Sequence, residues 1–216
     1  MDVVLLAAAF VLGVAIGSLL TAVVRVPVRY PLVELGTGVA FGAVALRLEQ
    51  LGLRGALPAF LYFTAIGIAL ALIDLDVRRL PNAIVLPSYP VIAVLLAGSA
   101  WWQHDWWSLA RAGIGGAALL GVYAIIAFIQ PAGMGLGDVK LSGLIGAVLG
   151  YLSWSTLILG GFLGFLLGAV VGVALIASGR GGRKTAVPFG PFMVAGALLA
   201  LFVTGSIAAL GAIPGT

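Results

Sequence analysis

The sequence predicts an all-α fold: a polytopic membrane helix bundle of about eight transmembrane helices, forming a single domain over residues 1–216. Three observations carry this. Hydrophobic residues make up 62% of the chain and charged residues only 8%, against roughly 25% charged in a soluble domain. Eight apolar stretches follow one another, most of them near the roughly 20 residues that cross hydrocarbon as a helix. No ten-residue alternation of apolar and polar residues occurs, which speaks against a transmembrane barrel. The mean hydropathy of +1.24 also excludes disorder, which requires low hydrophobicity and high net charge. Gly supplies 32 of the 216 residues, about twice the usual ~7%, as in apolar helices packed closely through small residues. The net charge of +4 comes with no long basic run, which speaks against nucleic-acid binding. Cys is absent, excluding disulfides, thiolate metal sites and a cysteine nucleophile.

The stretches are 3–24, 30–46, 57–73, 83–97, 109–129, 141–152, 155–177 and 187–212. The first follows Asp2 rather than a basic segment and is longer than a signal-peptide core, so it is expected to be a retained helix. Gly13 and Gly17 give it a GxxxG face for a neighbouring helix. The fourth and sixth are short for a crossing. The fifth follows a loop carrying Trp101, Trp102, Trp106 and Trp107, the amphipathic rings of an interfacial belt. His104 and Asp105, in that loop, are expected to be solvated. Only Ser153 and Trp154 separate the sixth from the seventh, where Gly160, Gly164, Gly168 and Gly172 recur every four residues and predict another packing face.

The basic residues alternate between connections. Arg25, Arg29, Arg78, Arg79, Lys140, Arg180, Arg183 and Lys184 fall on one side; Arg47, Arg54 and Arg111 fall on the other. The positive-inside rule then places the first, third, fifth and seventh connections in the cytoplasm and both termini outside.

Seven carboxylates remain to be explained. Two groups sit at the ends of apolar segments, in Leu72-Ile73-Asp74-Leu75-Asp76-Val77-Arg78-Arg79-Leu80-Pro81-Asn82 and in Gly133-Met134-Gly135-Leu136-Gly137-Asp138-Val139-Lys140-Leu141. A carboxylate held in a membrane costs roughly 2.5–3.5 kcal/mol on insertion scales and points to function. Asp76 has an ordinary partner in Arg78 or Arg79. Two readings of Asp138 stay open from composition: an N-cap for the helix that follows, or one member of a carboxyl pair.

These motifs resemble those of the type IV prepilin peptidases, the bacterial GxGD aspartic proteases. The resemblance extends to Gly17-Ser18-Leu19-Leu20-Thr21-Ala22-Val23-Val24, to Arg29-Tyr30-Pro31-Leu32-Val33-Glu34 and to Ala186-Val187-Pro188-Phe189-Gly190-Pro191-Phe192, in the family's order and over nearly the whole chain. It implies that Asp74 and Asp138, 64 positions apart, are the catalytic pair. Two helical steps turn a side chain by about 200°, so Asp74 and Asp76 do not both face Asp138 from a regular helix, and the resemblance selects Asp74. Longer family members carry a cytoplasmic insertion with Cys-x-x-Cys motifs. Here only Arg25-Val26-Pro27-Val28 occupies its place, which removes the basis for N-methylation.

The implied activity is removal of the leader from type IV prepilins or pseudopilins at the cytoplasmic face of the bacterial inner membrane. One carboxylate takes a proton from the attacking water while its protonated partner donates to the carbonyl oxygen. Neither cofactor nor metal is required, and membrane lipids are the other expected partner. Gly135 and Gly137 are expected to form a strand or turn beside Asp138 that pairs with the extended substrate. Lys140 either interacts with the acids or anchors the chain at the interface. Glu34 either pairs with Arg29 or lines the site. Two competing readings are a proton- or cation-coupled transporter using the same acids, and a presenilin-like protease, whose Tyr-Asp and Pro-Ala-Leu signatures are absent.

Overall fold

The computed structural model of the protein describes residues 2–24, 31–131, 134–179 and 188–211. Eight α-helices are present among them: α1 (Val3–Val24), α2 (Leu32–Gln50), α3 (Leu57–Val77), α4 (Asn82–Gln103), α5 (Trp106–Ile129), α6 (Leu136–Leu152), α7 (Trp154–Ala177) and α8 (Gly190–Gly211). A short 3-10 turn, Arg54–Ala56, precedes α3. Five helices are long and apolar enough to cross a membrane: α1, α3 with its preceding turn, α4, α5 and α7. The other three fall short for identifiable reasons. Glu34, Arg47 and Glu49 interrupt α2, α6 has 17 residues, and the apolar part of α8 with described side chains ends at Val203. Large apolar side chains such as Val4, Val94, Phe128 and Ile158 lie exposed on the helices, a surface suited to lipid rather than water. The protein is a multi-pass membrane protein.

The chain divides into two compact units, Met1–Ala110 and Arg111–Thr216. In the first unit α1 lies against α2 with almost no side-chain spacing. A Cβ on Gly13 would stand 2.7 Å from the Thr37 carbonyl oxygen, and one on Gly17 would stand 2.6 Å from the Glu34 Cα. The expected GxxxG face is therefore a helix-packing face. Phe41, Leu48, Phe60, Phe63, Leu70, Ile92 and Leu96 fill the core of this unit. Helix α4 continues through Pro87 and Pro90. Between them Ser88 donates from Oγ to the Ile84 carbonyl at 2.7 Å and meets Tyr62 Oη at 3.1 Å, so polar side chains tie this turn together.

In the second unit α6 is the central element, with Leu141, Leu144, Ile145, Val148, Leu149 and Tyr151 all buried. Glycine again sets the spacing: a Cβ on Gly115 of α5 would stand 2.8 Å from the Gly146 carbonyl oxygen, and one on Gly150 would stand 2.9 Å from that of Arg111. The glycines of α7 pack as the sequence indicates at Gly160, Gly164 and Gly168, against α6 and α8 or the residues leading into α8, whereas Gly172 faces open space. At the far end of α6, Arg111 donates to three successive carbonyls, from Nε to Gly150 at 2.6 Å and from Nη2 to Tyr151 at 2.5 Å and Leu152 at 2.9 Å. Those are orphan carbonyls of a helix C-terminus, where a cation is favoured.

Two expected loops turn out to be helical. The tryptophans lie on α4 and α5, leaving only His104 and Asp105 as a connection. His104 takes a left-handed conformation with φ 54°, and the Asp105 carboxylate accepts from the Ser108 N–H and hydroxyl at 3.1 and 2.5 Å. That side-chain cap starts α5 at once. The four indoles remain exposed, as an interfacial belt requires. Helix α6 begins at Leu136 rather than 141, which alters the surroundings of Asp138.

Candidate active site

Asp74 lies one turn before the end of α3, and its side chain is 5% exposed. The helix ends when Arg78 adopts φ 53° and donates its N–H to the Asp74 carbonyl oxygen at 2.9 Å. Asp76, two residues on, is exposed. The rotation between them thus separates a buried acid from a solvated one, as helical geometry dictates. Arg78 and Arg79 are exposed beside it.

Glu34 occupies the first turn of α2 in the same unit and is 4% exposed. Its Oε1 lies 2.9 Å from the Thr21 hydroxyl of α1. Its Oε2 is buried without a hydrogen-bond partner among the described residues. A groove of about 310 Å³ runs between the start of α2 and the second half of α3, lined by Leu32, Val33, Gly36, Thr37, Ile68 and Leu72. Neither Glu34 nor Asp74 is among its lining residues. Arg29, the sequence-suggested partner of Glu34, lies outside the described residues.

The remaining candidates cluster in the second unit. Gly135 is the N-cap of α6, with extended backbone at φ −74° and ψ 145°. Its carbonyl accepts from the Asp138 N–H at 3.1 Å and the Val139 N–H at 3.3 Å. Gly137 and Asp138 are already helical, so the expected strand or turn around them is replaced by the first turn of a helix. Asp138 is likewise not the N-cap: it is the third helical residue, half-buried, in the turn where the helix dipole favours an anion. A Cβ on Gly135 would lie 3.3 Å from its Oδ2. Lys140 is half-buried two residues further on. Gly133 lies outside the described residues, as do Arg25, Arg180, Arg183 and Lys184 of the expected cytoplasmic cations.

Sequence reasoning passed over two residues of this unit. Tyr123 of α5 is 1% exposed, packs on Phe165 and Phe189 with ring centroids 5.0 and 6.3 Å away, and lies within electrostatic reach of the Asp138 carboxylate. A lone Tyr inside an apolar span was the available signal. Arg111 was the other, readable only as a loop cation until α6 is placed beside it. No group of three or more His, Cys, Asp or Glu able to hold a metal ion occurs among the described residues. Chemically, the two motifs supply one buried and one half-buried carboxyl, each at a helix end.

Comparison with known proteins covers this same stretch. Residues 61–173, from α3 into α7 and including both aspartates, match the family described as the Type IV leader peptidase family. The chain is 33% identical over 184 residues to a prepilin leader peptidase/N-methyltransferase of Bacillus subtilis, covering 85% of this chain and 69% of the relative. It is 36% identical over 170 residues to a protein of the same name from Pseudomonas putida, covering 78% and 57%. A third, from Aeromonas hydrophila, is 36% identical over 186 residues, covering 83% and 60%. The chain thus spans less than two thirds of the latter two relatives. No solved structure matches it.

Proposed function

Because the chain belongs to the Type IV leader peptidase family, we propose that it is a membrane aspartic endopeptidase that removes the leader of type IV prepilins or pseudopilins, with Asp74 and Asp138 as its proton-sharing carboxyls. The observation that carries this reading is the burial of Asp74 in the last turn of α3, inside the matched stretch, beside an Asp76 that stays exposed. A carboxyl taken out of water at that expense, when its neighbour two residues on is solvated, is retained for chemistry.

The reaction follows from what two carboxyls do together. Close approach disfavours double ionisation, so one keeps its proton. The ionised member takes a proton from water as the oxygen attacks the scissile carbonyl carbon, and the protonated member donates to the carbonyl oxygen. Collapse of the tetrahedral species breaks the C–N bond as a proton passes to the departing amine. The two titrations belong to the pair, so acid and base are not assigned separately. Gly135, Gly137 and Lys140 support the Asp138 side of the reaction, and Glu34 supports the Asp74 side. We place the protein in the bacterial cytoplasmic membrane with the site facing the cytoplasm, on the charge asymmetry of its connections.

The names of the relatives also include N-methyltransferase activity. With no Cys in the chain, the family's Cys-x-x-Cys insertion has no counterpart here, and we assign cleavage alone. The transporter reading of the same acids draws no support from the comparisons, whose relatives are peptidases by name. The test is to incubate the purified protein in lipid with prepilins from the same genome and follow their masses. Loss of the leader, persisting in strong chelator, is the expected result. Intact substrates, or cleavage abolished by chelator and restored by one divalent metal, would contradict it.

A further inference from the structure

Helices α5 and α6 run antiparallel in one register, which three contacts fix. Arg111 of α5 donates from Nε to the Gly150 carbonyl of α6 at 2.6 Å. One turn along α5, a Cβ on Gly115 would stand 2.8 Å from the Gly146 carbonyl oxygen. One turn further, the Ser142 hydroxyl lies 3.4 Å from the Leu119 carbonyl oxygen. Each step of four residues along α5 is matched by four back along α6, about one helical turn on each. The next pair in this register is Tyr123 and Asp138, and their side chains lie within electrostatic reach of each other.

The direction of the Tyr123 ring is set by its neighbours. It is buried and packs on Phe165 of α7 and on Phe189, which leads into α8. Those two rings are 5.2 Å apart, and Phe189 has room because Gly168 stands on α7, where a Cβ would lie 3.0 Å from its ring. Packing of this kind explains an aromatic ring but not its hydroxyl, since Phe would fill the same space. A hydroxyl buried in an apolar span is costly unless it meets an acceptor. Asp138 supplies the one carboxylate in residues 111–216, and the register sets it opposite.

We propose that Tyr123 is a positioning residue for leader cleavage, its hydroxyl donating to the Asp138 carboxyl and holding it in the orientation used in the reaction. The inference rests on the peptidase reading and adds a residue to it. The phenol keeps its proton at neutral pH and acts through Asp138 without touching the substrate. Phe165 and Phe189 hold the ring so that the donor stays aimed at one place.

The experiment times leader release from one prepilin by the wild-type protein, Tyr123→Phe, Tyr123→Leu, Gly135→Ala and the double variant Tyr123→Phe/Gly135→Ala, with an unfolding midpoint recorded for each in detergent. Tyr151→Phe, which removes another buried hydroxyl from the opposite end of α6, serves as the control. Tyr123→Phe should lower kcat about tenfold to a hundredfold, the value of one hydrogen bond to a charged group. KM should stay within about twofold and the midpoint within about two degrees of wild type. Tyr123→Leu should lose the midpoint as well, because the ring goes with the hydroxyl. The double variant should be little worse than the poorer of its two single variants, since both changes act on the orientation of Asp138. Wild-type kcat in Tyr123→Phe overturns the proposal, as does an equal loss of kcat in Tyr151→Phe. So does a midpoint of Tyr123→Phe as low as that of Tyr123→Leu, which would make the hydroxyl a folding contact. Fully multiplicative losses in the double variant overturn it too. Failure of the wild-type protein to cut the prepilin overturns the peptidase reading itself, and this role with it.

Discussion

A Cβ on Gly135 would crowd the Asp138 carboxylate at 3.3 Å, so this position controls where the acid points rather than whether the helix forms. Gly135→Ala should therefore shift Oδ2 by a few tenths of an ångström and lower kcat roughly tenfold or more, with thermal stability within about a degree of wild type. Unchanged turnover, or a stability loss that accounts for the whole effect, would contradict that role. Asp76 gives the opposite case. Its exposure two residues from a buried Asp74 makes Asp76→Asn nearly silent, with cleavage within about twofold, as surface changes generally are. At this scale helical rotation was legible as setting Asp74 and Asp76 on different faces, whereas the choice of Asp74 came from the family resemblance. The sequence was not legible at Asp138, where three neighbouring glycines suggested a turn. The backbone instead enters a helix at Leu136, because the Gly135 carbonyl can accept the N–H groups of both Asp138 and Val139.

Helix α6 owes its end to a residue of another helix. Arg111 reaches across to the Gly150, Tyr151 and Leu152 carbonyls, which α6 cannot satisfy within itself. Arg111→Leu should destabilise the folded protein by about 2–3 kcal/mol, read as a lower unfolding midpoint in detergent. Arg111→Lys should recover only part of this, since one ammonium cannot reproduce the forked geometry. An unchanged midpoint in Arg111→Leu would show these bonds to be replaceable by water. The existence and order of the eight helices were legible in the sequence, because apolar runs separated by charge or turn residues are hard to miss. Their ends were less so. Trp101, Trp102, Trp106 and Trp107 read as loop residues, yet the αL His104 and the Asp105 cap compress the connection to two residues. The packing faces at Gly13, Gly17, Gly160 and Gly164 were visible as four-residue spacings, since close helix approach demands that repeat; which helices they meet came only with the fold.

On the scale of the whole molecule, the proposed cytoplasmic site rests on the charge asymmetry of the connections and is tested by sidedness. The chain has no Cys, so single cysteines report sidedness without background. His104→Cys, exposed beside the tryptophan belt, should react with an impermeant thiol reagent in intact cells. Arg79→Cys, exposed just beyond α3, should react only after the membrane is opened; the reverse pattern would invert the topology. The pairing of two aspartates 64 positions apart was legible only through resemblance to a family, since spacing in sequence says nothing of distance across a bundle. Cleavage by the two single aspartate variants is accordingly the measurement that tests the central claim most directly. Wild-type protein, Asp74→Asn, Asp138→Asn and the double variant are reconstituted in lipid at matched, insertion-verified levels, and leader release from one prepilin is timed. Each single variant should lose at least about 10³-fold in rate, and the double variant should be no worse than either, because two residues acting as a unit fail together. Wild-type turnover by either single variant would contradict the account.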